Sequence, residues 1–97
     1  MDDTRARLIT AEARPQLRAG VRLIESDAHG GWVLLAPERV FKINAVAADI
    51  LQRCDGRRTF AQIVDNLTAE YRAPRARVEA DASGLLDALA DKLLLDA

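Results

Sequence analysis

The sequence is poor in the residue types from which active sites and metal sites are usually built. Its 97 residues contain one cysteine and one histidine, so an intrachain disulfide is impossible and a cysteine-based zinc site lacks partners. The two serines, Ser26 and Ser83, do not lie in the context of a nucleophile elbow. The sequence has no glycine-rich phosphate loop and no metal-ligand spacing. We therefore expect no cofactor, no metal and no catalytic residue, and hence a protein that is not an enzyme.

Long apolar runs and a strong excess of one charge are also missing. The net charge is −1, which argues against binding to nucleic acid or to acidic membranes. No stretch approaches the ~20 apolar residues that span a bilayer, and the charged start of the chain is not followed by the apolar run of a signal peptide. A single cysteine fits a reducing compartment. We expect a one-domain cytoplasmic monomer with no membrane partner.

Three segments are rich in β-forming residues and are separated by turn chemistry: residues 21–25, 32–35 and 40–43. In the third segment Phe41 and Ile43 fall on one face of the strand, and Val40 and Lys42 fall on the other. The pattern predicts a small antiparallel meander.

After the third strand the apolar residues recur at helical spacing. Asn44 is a good N-cap for a first helix, and Gly56, which tolerates a positive φ, ends it. Thr59 and Gln62 form a capping-box pattern that starts a second helix. Pro74 suits the first turn of a third helix.

The order of these elements predicts the fold class. A small meander must cover its apolar face, and the three helices are the only cover that the sequence offers. We predict an α+β, winged-helix-like fold in which a three-stranded antiparallel sheet is followed by three α-helices. Residues 17–97 form this domain. Residues 1–16 hold little that would anchor a core, so we expect a flexible N-terminal arm there.

Three single side chains could carry chemistry, and each also has a plain structural explanation. His29 lies in the turn between the first two strands, where we expect a solvated side chain. Cys54 falls on the apolar face of the first helix, so we expect a small buried side chain, with a reactive thiol as the alternative. Asp81 lies beside the apolar stripe of the third helix, where it either caps or pairs with an arginine, or lines a groove.

A DNA-binding winged helix is the main alternative function, since such domains often read duplexes through their last helix. Residues 74–97 carry three basic and five acidic side chains, whereas phosphate neutralisation requires the opposite balance. Residues 39–58 carry five basic and two acidic side chains. That excess is either ordinary surface charge or an attraction for an acidic partner segment.

The third strand lies at an edge of the predicted sheet, where backbone N–H and C=O groups lack a partner strand. Lys42 is a typical guard against unwanted pairing at such an edge. Equally, an extended peptide could add here as a further strand. The third helix would then supply an apolar wall: Val78, Ala82, Leu85 and Leu86. Part of this apolar stripe must also face the core, and the sequence does not divide the four between the two roles.

Three stretches of the chain resemble the PqqD family of pyrroloquinoline quinone biosynthesis. Residues 32–40 (WVLLAPERV) look like its strand-turn-strand signature, and residues 50–56 (ILQRCDG), followed by Thr59, look like the end of its first helix. Residues 78–89 are similar to its last helix. The resemblance runs in order over about residues 15–95.

The resemblance implies a winged-helix domain that recognises a peptide. In that family the domain binds the precursor peptide PqqA, from which a glutamate and a tyrosine become the cofactor, and it contacts the radical S-adenosylmethionine enzyme PqqE. The peptide lies as an added strand between the third strand and the third helix. Carried over to this sequence, the implied peptide-binding residues are Val40, Phe41, Lys42, Ile43, Arg77, Val78, Asp81, Ala82, Leu85 and Leu86. A DNA-binding regulator and a small accessory enzyme remain the alternatives.

Overall fold

The computed structural model of the chain describes residues 9–97. Its strands and helices, in chain order, are β1 Gln16–Leu17, β2 Arg22–Ser26, β3 Gly31–Ala36, β4 Arg39–Ile43, α1 Ala45–Gln52, α2 Phe60–Tyr71, α3 Arg75–Asp91 and β5 Leu95–Asp96. A short 3-10 turn, Asp27–His29, joins β2 to β3. None of the helices within the described range is long and apolar enough to cross a membrane.

The main sheet contains β2, β3 and β4 in that order, with both pairs antiparallel. Leu23 of β2 lies opposite Leu34 of β3, which lies opposite Phe41 of β4. These three side chains contact the core beneath the helices. The predicted α+β, winged-helix-like fold, with a three-stranded antiparallel sheet followed by three α-helices, is therefore confirmed.

α1 and α2 begin where the sequence predicts, because their first turns are capped locally. The side chain of Asn44 accepts a hydrogen bond from the backbone N–H of Ala47 at 2.8 Å. The hydroxyl of Thr59 accepts from the N–H of Gln62 at 3.1 Å, and the Gln62 side chain accepts from the N–H of Thr59 at 2.8 Å. These reciprocal bonds complete the capping box and satisfy N–H groups that the helix itself cannot pair.

One core joins the sheet to all three helices. Its fully buried side chains include Leu34 of β3, Ile63 and Leu67 of α2, and Leu86 of α3. Ile50 of α1 is buried in the same core. Their side chains fill the space between the sheet and the helices, and each full burial contributes roughly 1.5–3 kcal/mol. The relative positions of β4 and α3 therefore depend on this shared core.

The last residues of the chain return to its first described strand, a feature that the sequence did not predict. Leu93 adopts a positive φ of 61°, and the N–H of Leu94 then donates to the carbonyl of Leu89 at 2.9 Å. The chain reverses there, and β5 pairs antiparallel with β1. The two ends of the domain are thereby joined.

We expected a flexible arm over residues 1–16. Residues 1–8 lie outside the described part of the chain, and residues 9–16 make hydrogen bonds to the start of α2. The first two N–H groups of α2, at Phe60 and Ala61, donate to carbonyls of Ala13 and Ala11 at 2.7 and 3.0 Å. Pro15 is fully buried. The physical reason is that the first N–H groups of a helix need acceptors from outside it. The boundary at residue 16 itself stays a prediction.

Candidate functional site

β4 lies at an edge of the main sheet. β4 pairs with β3 on one side, and within residues 9–97 no strand pairs with the other side. The backbone N–H and C=O groups on that side therefore form a template for a further strand. Edge strands of this kind usually carry a charged side chain that discourages unwanted pairing, and the exposed Lys42, next to the last residue of β4, is such a side chain.

Two observations place α3 alongside that free edge. Near the start of β4, Nη2 of Arg39 donates to the carbonyl oxygen of Lys92 at 3.4 Å. Just beyond the end of β4, Asn44 lines a shallow depression together with Asp81 and Leu85. The start of the strand is thus near the end of the helix, and β4 and α3 run in opposite directions. We call the surface between them the edge cleft.

The four predicted residues of β4 alternate between two environments. Val40 and Lys42 are exposed, on the sheet face directed away from the helices, with Val40 53% accessible. Phe41 and Ile43 are half-buried and pack against the core. Because the side chains point to the two faces of the sheet, it is the backbone of β4 that faces the edge cleft.

The six predicted residues of α3 divide into three groups by burial. Arg77 and Asp81 are exposed, and Val78 and Leu85 are half-buried, so these four can be reached from outside. Ala82 and Leu86 are fully buried in the core. The last pair lies behind the wall of the edge cleft, so it forms the part of the apolar stripe that faces the core.

At the start of β4, Arg39 adds a positive charge to the edge cleft. Its guanidinium carbon lies 5.2 Å from the centre of the Phe41 ring, within the range of a cation–π contact. Lys42 lies three residues further on, also exposed. Of the basic side chains in residues 39–58, only Arg39 and Lys42 thus lie on β4, where they can attract an acidic peptide segment. Arg53 and Arg58 form ion pairs elsewhere, with Glu70 and Asp55.

The lone cysteine lies in the core rather than at the surface. Cys54 is buried as expected, and its Sγ donates to the carbonyl of Ile50 at 3.4 Å. Burial, with a smaller contribution from the charge of Asp55, raises the pKa of this thiol to about 12, so the reactive thiolate is scarce at neutral pH. Among the described residues, no cluster of His, Cys, Asp and Glu could hold a metal ion.

A second depression, which the sequence analysis missed, continues from the edge cleft between the three helices. We call it the helical groove, and its principal lining residues are Val46, Ile50, Leu67, Tyr71, Val78 and Asp81. The one available signal was Val46, an apolar residue that lies off the buried stripe of α1. It is 52% accessible, and burial in the core does not explain it.

The wall of the helical groove is held by polar contacts between α1 and α2. The hydroxyl of Tyr71 donates to a carboxylate oxygen of Asp49, and this hydrogen bond raises the pKa of the Tyr71 hydroxyl. Arg53 donates to the carbonyl of Asp49 at 2.8 Å and forms an ion pair with Glu70. These contacts fix the Tyr71 ring at the rim of the groove.

Comparison with known proteins relates the whole domain to one family. Residues 31–95 match the family model described as coenzyme PQQ synthesis protein D (PqqD). A protein named PqqA binding protein, from Xanthomonas axonopodis pv. citri, is 51% identical over 87 residues, which are 90% of this chain and 95% of that relative.

Two solved structures share the fold over most of their length. The solution NMR structure of the PqqD truncation of Methylobacterium extorquens PqqCD, a functional stand-alone recognition element for ribosomally synthesised and post-translationally modified peptides, matches with a TM-score of 0.80 and 38% identity. The match covers 92% of this chain and 95% of that one. Lasso peptide synthetase B1, complexed with its leader peptide, matches with a TM-score of 0.75 and 28% identity, over 88% and 100% of the two chains.

Proposed function

The chain belongs to the PqqD family, and from that premise we propose that it is a non-catalytic peptide chaperone of pyrroloquinoline quinone biosynthesis. It binds the precursor peptide PqqA and presents it to the radical S-adenosylmethionine enzyme PqqE. The observation that carries the proposal is the outer edge of β4, which lies alongside α3 and which no strand of residues 9–97 pairs with. The names of the related proteins and the leader-peptide complex of a structural neighbour support it.

Strand addition at β4 explains how a domain with a small site can hold a long peptide. A disordered peptide must become ordered on binding, which costs roughly 2–5 kcal/mol. Each backbone hydrogen bond contributes a net gain of about 0.5–1.5 kcal/mol, so the few bonds that a five-residue edge strand offers roughly offset this cost. Apolar and charged side-chain contacts then supply the net affinity. Such an edge-bound peptide is also readily released.

We propose that Val40, Phe41, Lys42 and Ile43 offer the backbone for this contact. The proposed wall on α3 consists of its four accessible residues: Asp81 and Leu85, which line the depression at the end of β4, and Arg77 and Val78, which line the helical groove next to it. Ala82 and Leu86 lie behind that wall, in the core. We propose that they act by holding α3 in place rather than by touching the peptide.

Isotope-edited NMR of the labelled chain tests the proposal directly. Titration with synthetic PqqA should shift amide signals at residues 40–43 and at residues 77–85, and leave those of β2 nearly unchanged. Adding PqqE to that complex should broaden its signals without displacing the peptide. Duplex DNA, titrated at the same low salt, should leave the spectrum unchanged.

Either of two results would reject the proposal. One is salt-dependent binding of DNA with no response to PqqA, which would favour a regulator. The other is peptide-induced shifts that avoid both β4 and α3, which would place the peptide elsewhere on the domain.

A further inference from the structure

The helical groove has the size and chemistry of a pocket for one side chain. Its volume is about 200 Å³, which is below the roughly 300–1,000 Å³ of pockets that enclose whole small molecules. Ile50, Leu67 and Val78 supply an apolar lining, and Arg77 and Asp81 place charges at the rim. A single aliphatic or aromatic side chain fits this arrangement better than a cofactor does.

The groove is continuous with the surface where we place the peptide. The shallow depression at the end of β4 is lined by Asn44 and Leu85, and it shares Val46, Ile50 and Asp81 with the helical groove. A peptide that pairs with β4 and continues past Ile43 therefore enters the groove within a few residues.

The rim presents apolar surface that is still in contact with water. Val46 is 52% accessible and Tyr71 is 41% accessible. Covering this surface is favourable, at roughly 25 cal/mol for each Å² of apolar area removed from water. The hydrogen bond from Tyr71 to Asp49 already holds the wall, so binding requires little reorganisation.

We infer that the helical groove is a specificity pocket for one apolar side chain of the precursor peptide, located in the segment next to the strand that pairs with β4. The inference rests on the proposed function. Such a pocket would make binding depend on the sequence of the peptide, because backbone pairing at β4 alone discriminates poorly between peptides.

Two glutamate substitutions in the first turn of α1 test the pocket. Val46→Glu places a carboxylate in the groove, whereas Ala45→Glu adds the same charge at the neighbouring residue, which is exposed and does not line the groove. Both variants should fold, because a carboxylate in the first turn of a helix is favourable. We expect Val46→Glu to weaken PqqA binding about tenfold and Ala45→Glu to change it less than about twofold.

A second variant and a peptide series make the test independent of the added charge. Val46→Ala should weaken binding about threefold, because it removes only part of the apolar wall. Replacing the apolar residues of PqqA one at a time with asparagine should reveal one position that matters for the native chain. At that position the peptide change should have much less effect on the Val46→Glu variant, because the pocket is already lost.

The outcomes separate the pocket from the proposed function. If the native chain does not bind PqqA, the proposed function fails and the pocket fails with it. If the native chain binds PqqA while Val46→Glu, Val46→Ala and Ala45→Glu all bind equally well, strand addition stands and the pocket is rejected.

Discussion

Lys42 places a positive charge near the end of the edge strand β4, where a guest peptide would lie. If PqqA brings acidic residues to this edge, Lys42→Glu should weaken its binding about three- to tenfold at low salt, because an attraction becomes a repulsion. The loss should shrink as ionic strength rises, since exposed charges are screened within a Debye length of about 10 Å at 0.1 M salt. Isothermal titration calorimetry at two salt concentrations measures both effects.

Arg22→Glu is the matched control for this charge reversal. Arg22 is an exposed basic residue on the same face of the sheet, but it lies on β2, at the opposite edge. Its reversal should leave PqqA affinity nearly unchanged at both salt concentrations. An equal loss in the two variants would mean that net charge, rather than the position of Lys42, governs the attraction.

Cys54 predicts a pH dependence of stability. Burial raises the pKa of its thiol to about 12 in the folded chain, while the pKa of a cysteine in an unfolded chain is about 8.5. Between these values the unfolded state binds fewer protons, so the free energy of unfolding falls as the pH rises. The thiol's share of that fall is about 1 kcal/mol between about pH 9 and about pH 10.

Urea unfolding of the native chain and of Cys54→Ala over this pH range measures that share. The alanine variant is less stable at neutral pH because it leaves a small cavity, so the slopes with pH are compared rather than the values. The native slope should be the steeper. Parallel slopes would show that the thiol ionises as easily in the folded chain as in the unfolded one.

The burial of single residues on α3 shows which features of the site can be predicted from the sequence alone. The apolar stripe correctly predicts which side of the helix faces inward. It does not say where the core ends and the accessible wall begins, because that depends on where α1 and β4 lie. Ala82 and Leu86 belong to the core, while Leu85, between them in sequence, is half-buried and lines a depression.

For whole elements, prediction succeeded where the determining contacts are local. Asn44 and the Thr59–Gln62 pair cap their own helices, so the sequence around them contains the complete signal. β1 and β5 were missed because two-residue strands show no periodicity and pair across the length of the domain. The packed course of residues 9–16 was missed for a similar reason, since its partners are N–H groups of α2.

The free edge of β4 can be tested by a pair of proline substitutions. Proline removes a backbone N–H, and successive N–H groups of a strand point to opposite edges. Phe41→Pro and Lys42→Pro therefore remove one donor from the β3 side and one from the open side. The variant that loses the open-side donor should stay folded and bind PqqA at least about tenfold more weakly, because both a hydrogen bond and the close approach of the guest strand are lost.

Circular dichroism identifies which variant remains folded, and calorimetry then gives its affinity for PqqA. Leu23→Pro serves as a control for general damage, because Leu23 lies in the same row of the sheet on the other edge strand. A folded open-side variant with native affinity would contradict strand addition at β4.

For the whole molecule, the proposed function raises the question of what a peptide-binding domain adds to a reaction performed by PqqE. In the proposed complex, a peptide held by its backbone at the edge cleft and by one side chain in the helical groove would keep the rest of its length free for PqqE. If the chain also contacts PqqE, the peptide's effective concentration at the enzyme can reach the millimolar range.

We therefore expect the chain to increase the rate at which PqqE joins the glutamate and tyrosine of PqqA, on the order of tenfold when the peptide is dilute. The gain should disappear at high peptide concentration, because free PqqA then saturates the enzyme without a carrier. The folded proline variant that loses peptide affinity should give no gain, and Ala45→Glu should give the full one. Mass spectrometry of the cross-linked peptide measures these rates. A gain that survives loss of peptide binding would mean that the chain acts on the enzyme itself rather than by delivering its substrate.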